Sequence, residues 1–476
     1  MRAIVMPKVL PIVLPKVSDD VARALGNLVW LGCERLTQIV VAIVISGVLA
    51  RYFGPDVFGK WQYANTLLLV LAPITWVCGA EILVPTIVHE PPSRLGTILG
   101  SAFVLRFGVS LAALLLTWIV LAAGSGYGRV DPMVAAMLAG LATTMIFREP
   151  FAVVSTWLQS RTYSKPALLA AIVSAIGKAL LVWLFVRLAI DPARFGWLWA
   201  LEAAAIAAML IAYYAAQHGQ AQDEGQEGKE ERDRLDALDG RPGQAARSGQ
   251  AARSGRSDPS ARRWRLDWQL EVALFRRFVS AGSVFWIGLV CMYLFLKLDR
   301  LMLERVVDYA DLGRYSAAQQ LNENWITLAL MLAQTLAPAF VYRVHERARL
   351  LRNMLRLLAM TAVLMICGAL VLDALGGTII RLVFGPGFEG AVDIFRWAVW
   401  LSVPAGIEAI ANLIVLKYQA KFVLLAKWLL ALAVAFAVNL VAIPRFGGHG
   451  ALMGLAAGYL AAIAVDLYYL RLRLAQ

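Results

Sequence analysis

Apolar residues fill this chain in long windows, separated by short polar loops and by one long polar stretch. Windows of about 20 residues, enough for a helix to cross about 30 Å of hydrocarbon, lie near 25–49, 58–86, 95–123, 131–158, 166–190 and 195–217. They recur near 272–297, 313–341, 353–375, 389–416, 421–443 and 448–470. The pattern predicts an all-α polytopic membrane protein with about 12 transmembrane helices. Pro73 and Pro404 fall inside windows and predict kinks within spans rather than breaks between them.

The polar stretch 218–268 divides the windows six and six. Glu224–Asp239 mixes acids and bases, and Gly-Gln-Ala-Ala-Arg-Ser occurs twice in tandem, from Gly243 and from Gly249. A segment with so few large apolar side chains cannot offset its conformational entropy by burial, so it reads as a flexible cytoplasmic linker. The expected organisation is an N-terminal arm (1–24), a first six-helix half (25–217), the linker (218–268) and a second six-helix half (269–476). Pro7, Pro11 and Pro15 interrupt the arm, which argues against a cleaved signal peptide.

Composition agrees: 60% hydrophobic and 16% charged residues, with a mean hydropathy of +0.67, fit neither a soluble protein of this length nor a disordered one. Cys33, Cys78, Cys291 and Cys367 lie in apolar segments without a CxxC pair, and His89, His218, His345 and His449 are scattered. Neither a disulfide framework nor a metal site is expected, and no cofactor. The net charge of +13 is read as basic loops facing anionic lipid, not as a nucleic-acid surface. An even number of spans puts both termini and the linker on one side. That side carries Arg94, Arg161, Lys165, Arg343, Arg347, Arg349, Arg352, Lys417 and Lys421 in its short loops. The opposite loops carry fewer bases, mainly Arg51, Lys60, Arg129, Arg194, Arg305, Arg314 and Arg445. Positive-inside therefore predicts cytoplasmic termini.

The halves read as copies. Gly59-Lys-Trp-Gln-Tyr-Ala-Asn-Thr-Leu67 aligns with Gly313-Arg-Tyr-Ser-Ala-Ala-Gln-Gln-Leu321, and Pro85 with His89-Glu90 aligns with Pro338 and His345-Glu346. Lys165-Pro-Ala-Leu-Leu-Ala170 matches Lys421-Phe-Val-Leu-Leu-Ala426, and Arg194-Phe-Gly196 matches Arg445-Phe-Gly447. Four matches in order, each roughly 250 residues apart, argue for duplication. Copies with an even number of spans share orientation, and their symmetry axis runs along the membrane normal.

Three stretches carry a family likeness. Arg51-Tyr-Phe-Gly-Pro-Asp-Val-Phe-Gly59 resembles the "R-x-LG-x-x-x-(Y/F)-G" signature of polysaccharide and O-antigen flippases, with Phe53 in place of the usual Leu. Lys297-Leu-Asp-Arg-Leu-Met-Leu303 followed by Leu312-Gly-Arg-Tyr-Ser-Ala-Ala318 resembles their "K-x-D-x-x-(M/L)-L … G-x-Y-(S/A)-x-A" stretch. Val438-Asn-Leu-Val-Ala-Ile-Pro-Arg-Phe-Gly447 with Gly450-Ala451 resembles their "N-x-x-(L/V)-IP-x-(F/Y)-G-x-x-GA" run. The resemblance covers the chain apart from the linker, which is longer than usual. It implies membership of the multidrug/oligosaccharidyl-lipid/polysaccharide exporter superfamily: two like-oriented six-helix bundles around a central cavity. It further implies a bacterial inner-membrane flippase for a polyprenyl-pyrophosphate-linked oligosaccharide, with a polysaccharide polymerase and export machinery as partners.

A charge at the bilayer centre costs roughly 2.5–3.5 kcal/mol on insertion scales, so ionisable residues inside spans are functional candidates. Arg35, Arg106 and Arg148 are the candidate pyrophosphate contacts, because guanidinium stays protonated and matches phosphate oxygens bidentately. Arg51, Arg300 and Arg314 are expected at the outward rim, and Asn322 and Trp325 are candidate sugar contacts. Glu34, Glu81, Asp299 and Glu323 are candidates for ion coupling. The structural alternative pairs each base with a nearby acid and leaves helix packing as its only role. Gly450, Gly454 and Gly458 form a GxxxGxxxG ridge that close helix contact explains.

Enzyme signatures are missing: Gly59-Lys60 is followed by Trp61 and Gly177-Lys178 by Ala179, so neither is a Walker A loop. Outward movement of an anion gains about 2.3 kcal/mol per charge per 100 mV of inside-negative potential. The competing readings are a cation-coupled multidrug exporter of the same superfamily, which an acidic cavity favours, and a membrane-embedded polysaccharide polymerase. The polymerase calls for a large external loop, and the external loops here are short.

Overall fold

A computed structural model describes residues 19–91, 94–126, 130–160, 165–216 and 268–475, with side chains in the first helix from Ile39 onward. Helices α1 and α2 share the run Asp19–Leu71 and meet at Gly54 (φ 70°, ψ 173°). A Cβ there meets nothing within 4 Å, so it is the positive φ and not space that calls for glycine. Pro55, with no N–H to satisfy, then opens α2. Next come α3 (Ala80–His89), α4 (Leu95–Gly126), α5 (Pro132–Ala142), α6 (Thr144–Ser160), α7 (Lys165–Arg187) and α8 (196–216). The second half supplies α9 (Val272–Leu303), α10 (Tyr309–Ala337), α11 (Arg347–Val383) and α12 (Ala391–Ala398). It ends with α13 (Ser402–Lys417), α14 (Lys421–Phe446) and α15 (Gly448–Ala475).

Among the described residues, nine helices are long and apolar enough to cross a membrane, or ten when the bent α9 counts as one span. The twelve sequence windows remain visible in this set. Ile39–His89 holds two windows folded against each other at Gly54, and α10 is a polar exception, with Gln319, Gln320, Asn322, Glu323 and Asn324 nearly in succession. The architecture is all-α, two like-oriented six-helix bundles. The polar linker lies outside the described residues.

Proline behaves differently at the two sites expected to kink. Pro73 sits in a 3-10 turn, Ala72–Thr75, and the chain passes through Cys78 at φ 58° before α3 begins, so span two is broken rather than bent. Pro404 lies in the first turn of α13, where its missing N–H costs little, and a 3-10 turn, Val399–Leu401, carries α12 into α13.

The matched glycines of the two copies touch. A Cβ on Gly59 would lie 1.7 Å from the Tyr309 carbonyl oxygen, and one on Gly313 would lie 2.2 Å from the Pro55 carbonyl oxygen. A two-fold relation between copies produces this reciprocal contact. Phe58 packs beside it, edge-on to Phe388 at 5.4 Å. The glycine ridge of α15 is also a close contact: a Cβ at Gly450 would strike the Ala442 carbonyl, and Cβ atoms at Gly454 and Gly458 would strike the side chains of Asn439 and Phe295.

Helix α9 belongs to both bodies. Its arms Val272–Ser280 and Gly282–Leu303 meet at 57°. On the first arm, Leu274 and Phe278 are buried in a cluster otherwise made of first-half residues, whereas Phe295, Leu298 and Leu303 on the second arm are buried in the second-half core. The entry to the first arm is fastened to the first half as well: the Trp268 ring lies 5.0 Å from Phe103 and 5.8 Å from Tyr214, centroid to centroid.

Candidate functional site

Lys297, Asp299 and Arg300 show why the motif is spaced as it is. Positions three apart share a helix face and a position between them faces elsewhere. Lys297 and Arg300 accordingly both reach Glu323 Oε1, at 2.7 and 2.9 Å. Asp299 points the other way, and its Oδ2 accepts from the Tyr315 hydroxyl at 2.6 Å. Gln319 donates to the Tyr315 hydroxyl, and Asn322 donates to Gln319 Oε1, both at 3.2 Å. Two bases and two acids leave this group electrically neutral. Arg300 was expected at the outward rim; instead it is buried among these partners, because Glu323 holds it inside. The Trp325 ring wedges against Gly368, where a Cβ would lie 1.8 Å from the indole.

The other arginine candidates divide by what occupies their donors. Arg106 is buried and gives its guanidinium to carbonyls: Nε to Val77 at 3.2 Å, Nη1 to Glu149 at 3.1 Å, and Nη2 to Cys78. Val77 and Cys78 lie in the break of span two, where no next helical turn takes up their carbonyls, so Arg106 caps that break. Arg148 differs: its side chain is 79% exposed and Glu149 Oε1 stands 4.0 Å from its Nε. Arg51 donates to the Leu382 carbonyl across the two halves, and Arg314 pairs with Asp311 at 2.6 Å. Glu81 opens α3 and is exposed, with its carboxylate over Gly79. The side chains of Glu34 and Arg35 lie outside the described ones.

A polar pocket of about 140 Å³ joins the halves; Ser46, Gln62, Asn65, Lys178, Trp199 and Gln320 line it. Gln320 Oε1 accepts from Ser46 Oγ at 2.6 Å and from Gln62 Nε2 at 2.9 Å. Lys178 is held by Glu202 at 2.8 Å and lies 5.2 Å from the Trp199 ring centroid. Amides, a hydroxyl, an ammonium and an indole face together provide donors, acceptors and an apolar plate in one place. Lys178 and Glu202 carry the general signal of a charge inside a span, whereas the amides carry no signal of their own.

Lys427 is not among the site residues expected from sequence, yet it carries the same signal: a lysine inside the apolar run Val423-Leu-Leu-Ala-Lys-Trp-Leu-Leu. Its ammonium meets Glu408 Oε1 and Asn412 Oδ1 at 2.7 Å each and Asp466 Oδ2 at 3.2 Å. Just before the span that begins at Pro132, Asp131 binds Lys60 at 3.1 Å. Burial alone raises the pKa of the Asp131 carboxyl, but the Lys60 ammonium and the backbone N–H groups of Val134 and Met133 outweigh it and hold the group below the ordinary aspartate value. Among the described residues no three His, Cys, Asp or Glu side chains are gathered so as to hold a metal ion.

The arrangement defines a class: a multi-pass membrane protein whose two helical bundles meet around polar, charge-bearing surfaces. Solved structures share its fold. The inward closed lipid II flippase MurJ matches with a TM-score of 0.68 at 10% identity, over 93% of this chain and 87% of that one. An inward-facing MATE family transporter of the MOP superfamily matches with a TM-score of 0.67 at 11% identity, over 92% and 94%. The eukaryotic MATE transporter AtDTX14 matches with a TM-score of 0.58 at 13% identity, over 95% and 96%. Compared by sequence with curated proteins, the chain matches none. A family model described as "Polysaccharide biosynthesis protein" matches residues 260–393, a stretch that contains the Lys297–Leu303 and Leu312–Ala318 motifs. With the fold, that match supports the resemblance, read from sequence, to a polysaccharide flippase-type family.

Proposed function

We propose that the protein flips a polyprenyl-pyrophosphate-linked oligosaccharide repeat unit across the bacterial inner membrane, with both termini and the 218–268 linker in the cytoplasm. The observation that carries this reading is the polysaccharide-biosynthesis match over 260–393, because it contains α9 with its buried Lys297, Asp299 and Arg300. On this reading the halves rock about the Gly59–Gly313 contact and expose the surfaces between them to one side and then the other. The pyrophosphate meets Arg148, whose side chain is largely exposed, and Arg35. The sugar meets the amides and indole of the Ser46–Gln320 pocket, and the polyprenyl chain stays in lipid.

Reconstitution into liposomes with a fluorescent lipid-linked oligosaccharide tests the proposal. Wild type is expected to accelerate translocation, and Arg148→Ala and Arg35→Ala to slow it by about tenfold or more, as for a lost charge-assisted bond. A wild-type rate equal to that of empty liposomes refutes the flippase reading; unchanged rates in both variants refute only the site. Multidrug export is the second reading, favoured by the MATE fold likeness at a TM-score of 0.67. Efflux of a cationic dye from the same liposomes, without lipid-linked sugar movement, selects it.

A further inference from the structure

Lys427 and its partners in α13, α14 and α15 form a closed charge ledger that does not balance. An ammonium has three N–H donors, and all three are used: Glu408 Oε1 at 2.7 Å, Asn412 Oδ1 at 2.7 Å and Asp466 Oδ2 at 3.2 Å. The side chains of Lys427 and Asp466 are both 0% exposed, and that of Glu408 is 8% exposed. Asp466 Oδ1 is buried and has no hydrogen-bond partner. With both carboxylates ionised, the cluster holds two negative charges against one positive, in a place shut off from bulk solvent. An uncompensated buried charge costs several kcal/mol, and such groups take up a proton instead.

The neighbouring charges do not supply the missing cation. On α9, Lys297 and Arg300 are bound to Glu323, and Asp299 is bound to Tyr315. On α12, Asp393 faces His449 at 3.0 Å, and Arg396 faces Asp373 at 3.7 Å. Within α15 the other buried ionisable side chains are Tyr459 and Tyr469, and neither carries a positive charge. A metal ion fits poorly, since the ammonium already occupies the point where the three oxygens converge.

We propose that Asp466, Glu408 and Lys427 form a binding site for a single proton in the second half of the protein. The proton is shared by the two carboxyls as a pair and leaves Asp466 Oδ1 neutral. Glu408, whose side chain retains exposed surface, is the entry point. On the transport reading above, a site that loads and unloads one proton lets the second half respond to a pH gradient. The spectroscopic test below needs no substrate, so its outcome is independent of that reading.

The test is infrared difference spectroscopy of the full-length protein in lipid, with the aspartate carboxyls carbon-labelled, titrated from about pH 5 to about pH 9, a range in which ordinary carboxyls stay ionised. Wild type is expected to show a protonated-carboxyl stretch that shifts with the aspartate label. Asp466→Asn, which imitates the neutral acid, removes it. Glu408→Gln also removes it, because one ammonium then balances one carboxylate. Lys427→Met increases the band, because both acids become protonated. The proposal is overturned if wild type shows no protonated carboxyl in that range, if the band survives both Asp466→Asn and Glu408→Gln, or if sodium chloride abolishes it at constant pH. The wild-type titration stands alone if a variant fails to fold.

Discussion

The two arms of α9 do the same job by different means. The second arm, Gly282–Leu303, is held by burial: Phe295 is fully enclosed and lies edge-on to Tyr459 at 5.3 Å, and Lys297 and Arg300 are buried against Glu323. The first arm, Val272–Ser280, is pinned near its start by ion pairs that water reaches: Arg94 to Glu271 at 2.6 Å and Arg277 to Glu90 at 2.9 Å. Buried groups have one arrangement and pay heavily to leave it, whereas exposed pairs are screened by salt and exchange readily with water. One helix is therefore buried in both halves, by Leu274 and Phe278 in the first and Phe295 in the second, but its charges are enclosed in the second half and open to water on the first, with the change of regime at its 57° bend.

The contrast is broken most strongly from the second arm. Phe295→Ala should cost about 3–5 kcal/mol, as for other enclosed aromatic truncations, seen as a lower melting temperature in detergent. Glu323→Ala leaves Lys297 and Arg300 buried without their acid; the loss should be about 3 kcal/mol, the low end for such pairs because Glu323 is half-exposed. Melting should recover when Glu323→Ala is combined with Lys297→Met, and the absence of recovery would show that the acid acts some other way. Arg277→Ala should move melting little, and the difference from wild type should vanish in high salt. If salt leaves the difference intact, that pair is not a surface pair and the contrast collapses.

The smallest effect is one of pH. The hydrogen bond from Arg277, helped by Arg94, holds the pKa of the Glu90 carboxyl below the ordinary glutamate value. A depressed carboxyl contributes stability that is fully present above its unfolded value and is lost as pH falls through the folded one. Acidification below about pH 4 should therefore loosen the first arm before the second, read as faster hydrogen exchange in Val272–Ser280, and Glu90→Gln should abolish that pH dependence.

How much of this was legible in the sequence depends on whether a residue's partner is local. The spans, the Gly54-Pro55 turn and the facing of Lys297 and Arg300 follow from apolar length, from the demand of a positive φ for glycine and from helical spacing, so they could be read directly. The matched glycines at Gly59 and Gly313 were visible as a repeat, though their contact was not. Arg106 reads from sequence as a free cation in a membrane, and only the break after Thr75 reveals the carbonyls that consume it. Gln62 and Gln320 become a site only because two distant helices bring them together. Lys427, Glu408 and Asp466 each carried the signal of a charge inside a span; what the sequence withheld was their convergence on one ammonium.

The ring contact between Tyr214 and Trp268, 5.8 Å centroid to centroid, bears on the polar stretch that divides the chain. Tyr214 stands just before that stretch and Trp268 is its last residue, so the stretch leaves from and returns to the same spot on the first half. A cord whose two ends are tied to one post pulls on nothing, and the covalent tie between the halves is α9 itself. The chain should accordingly tolerate a cut or a large insert between 218 and 267, and two co-expressed fragments divided there should assemble and work like the unbroken protein.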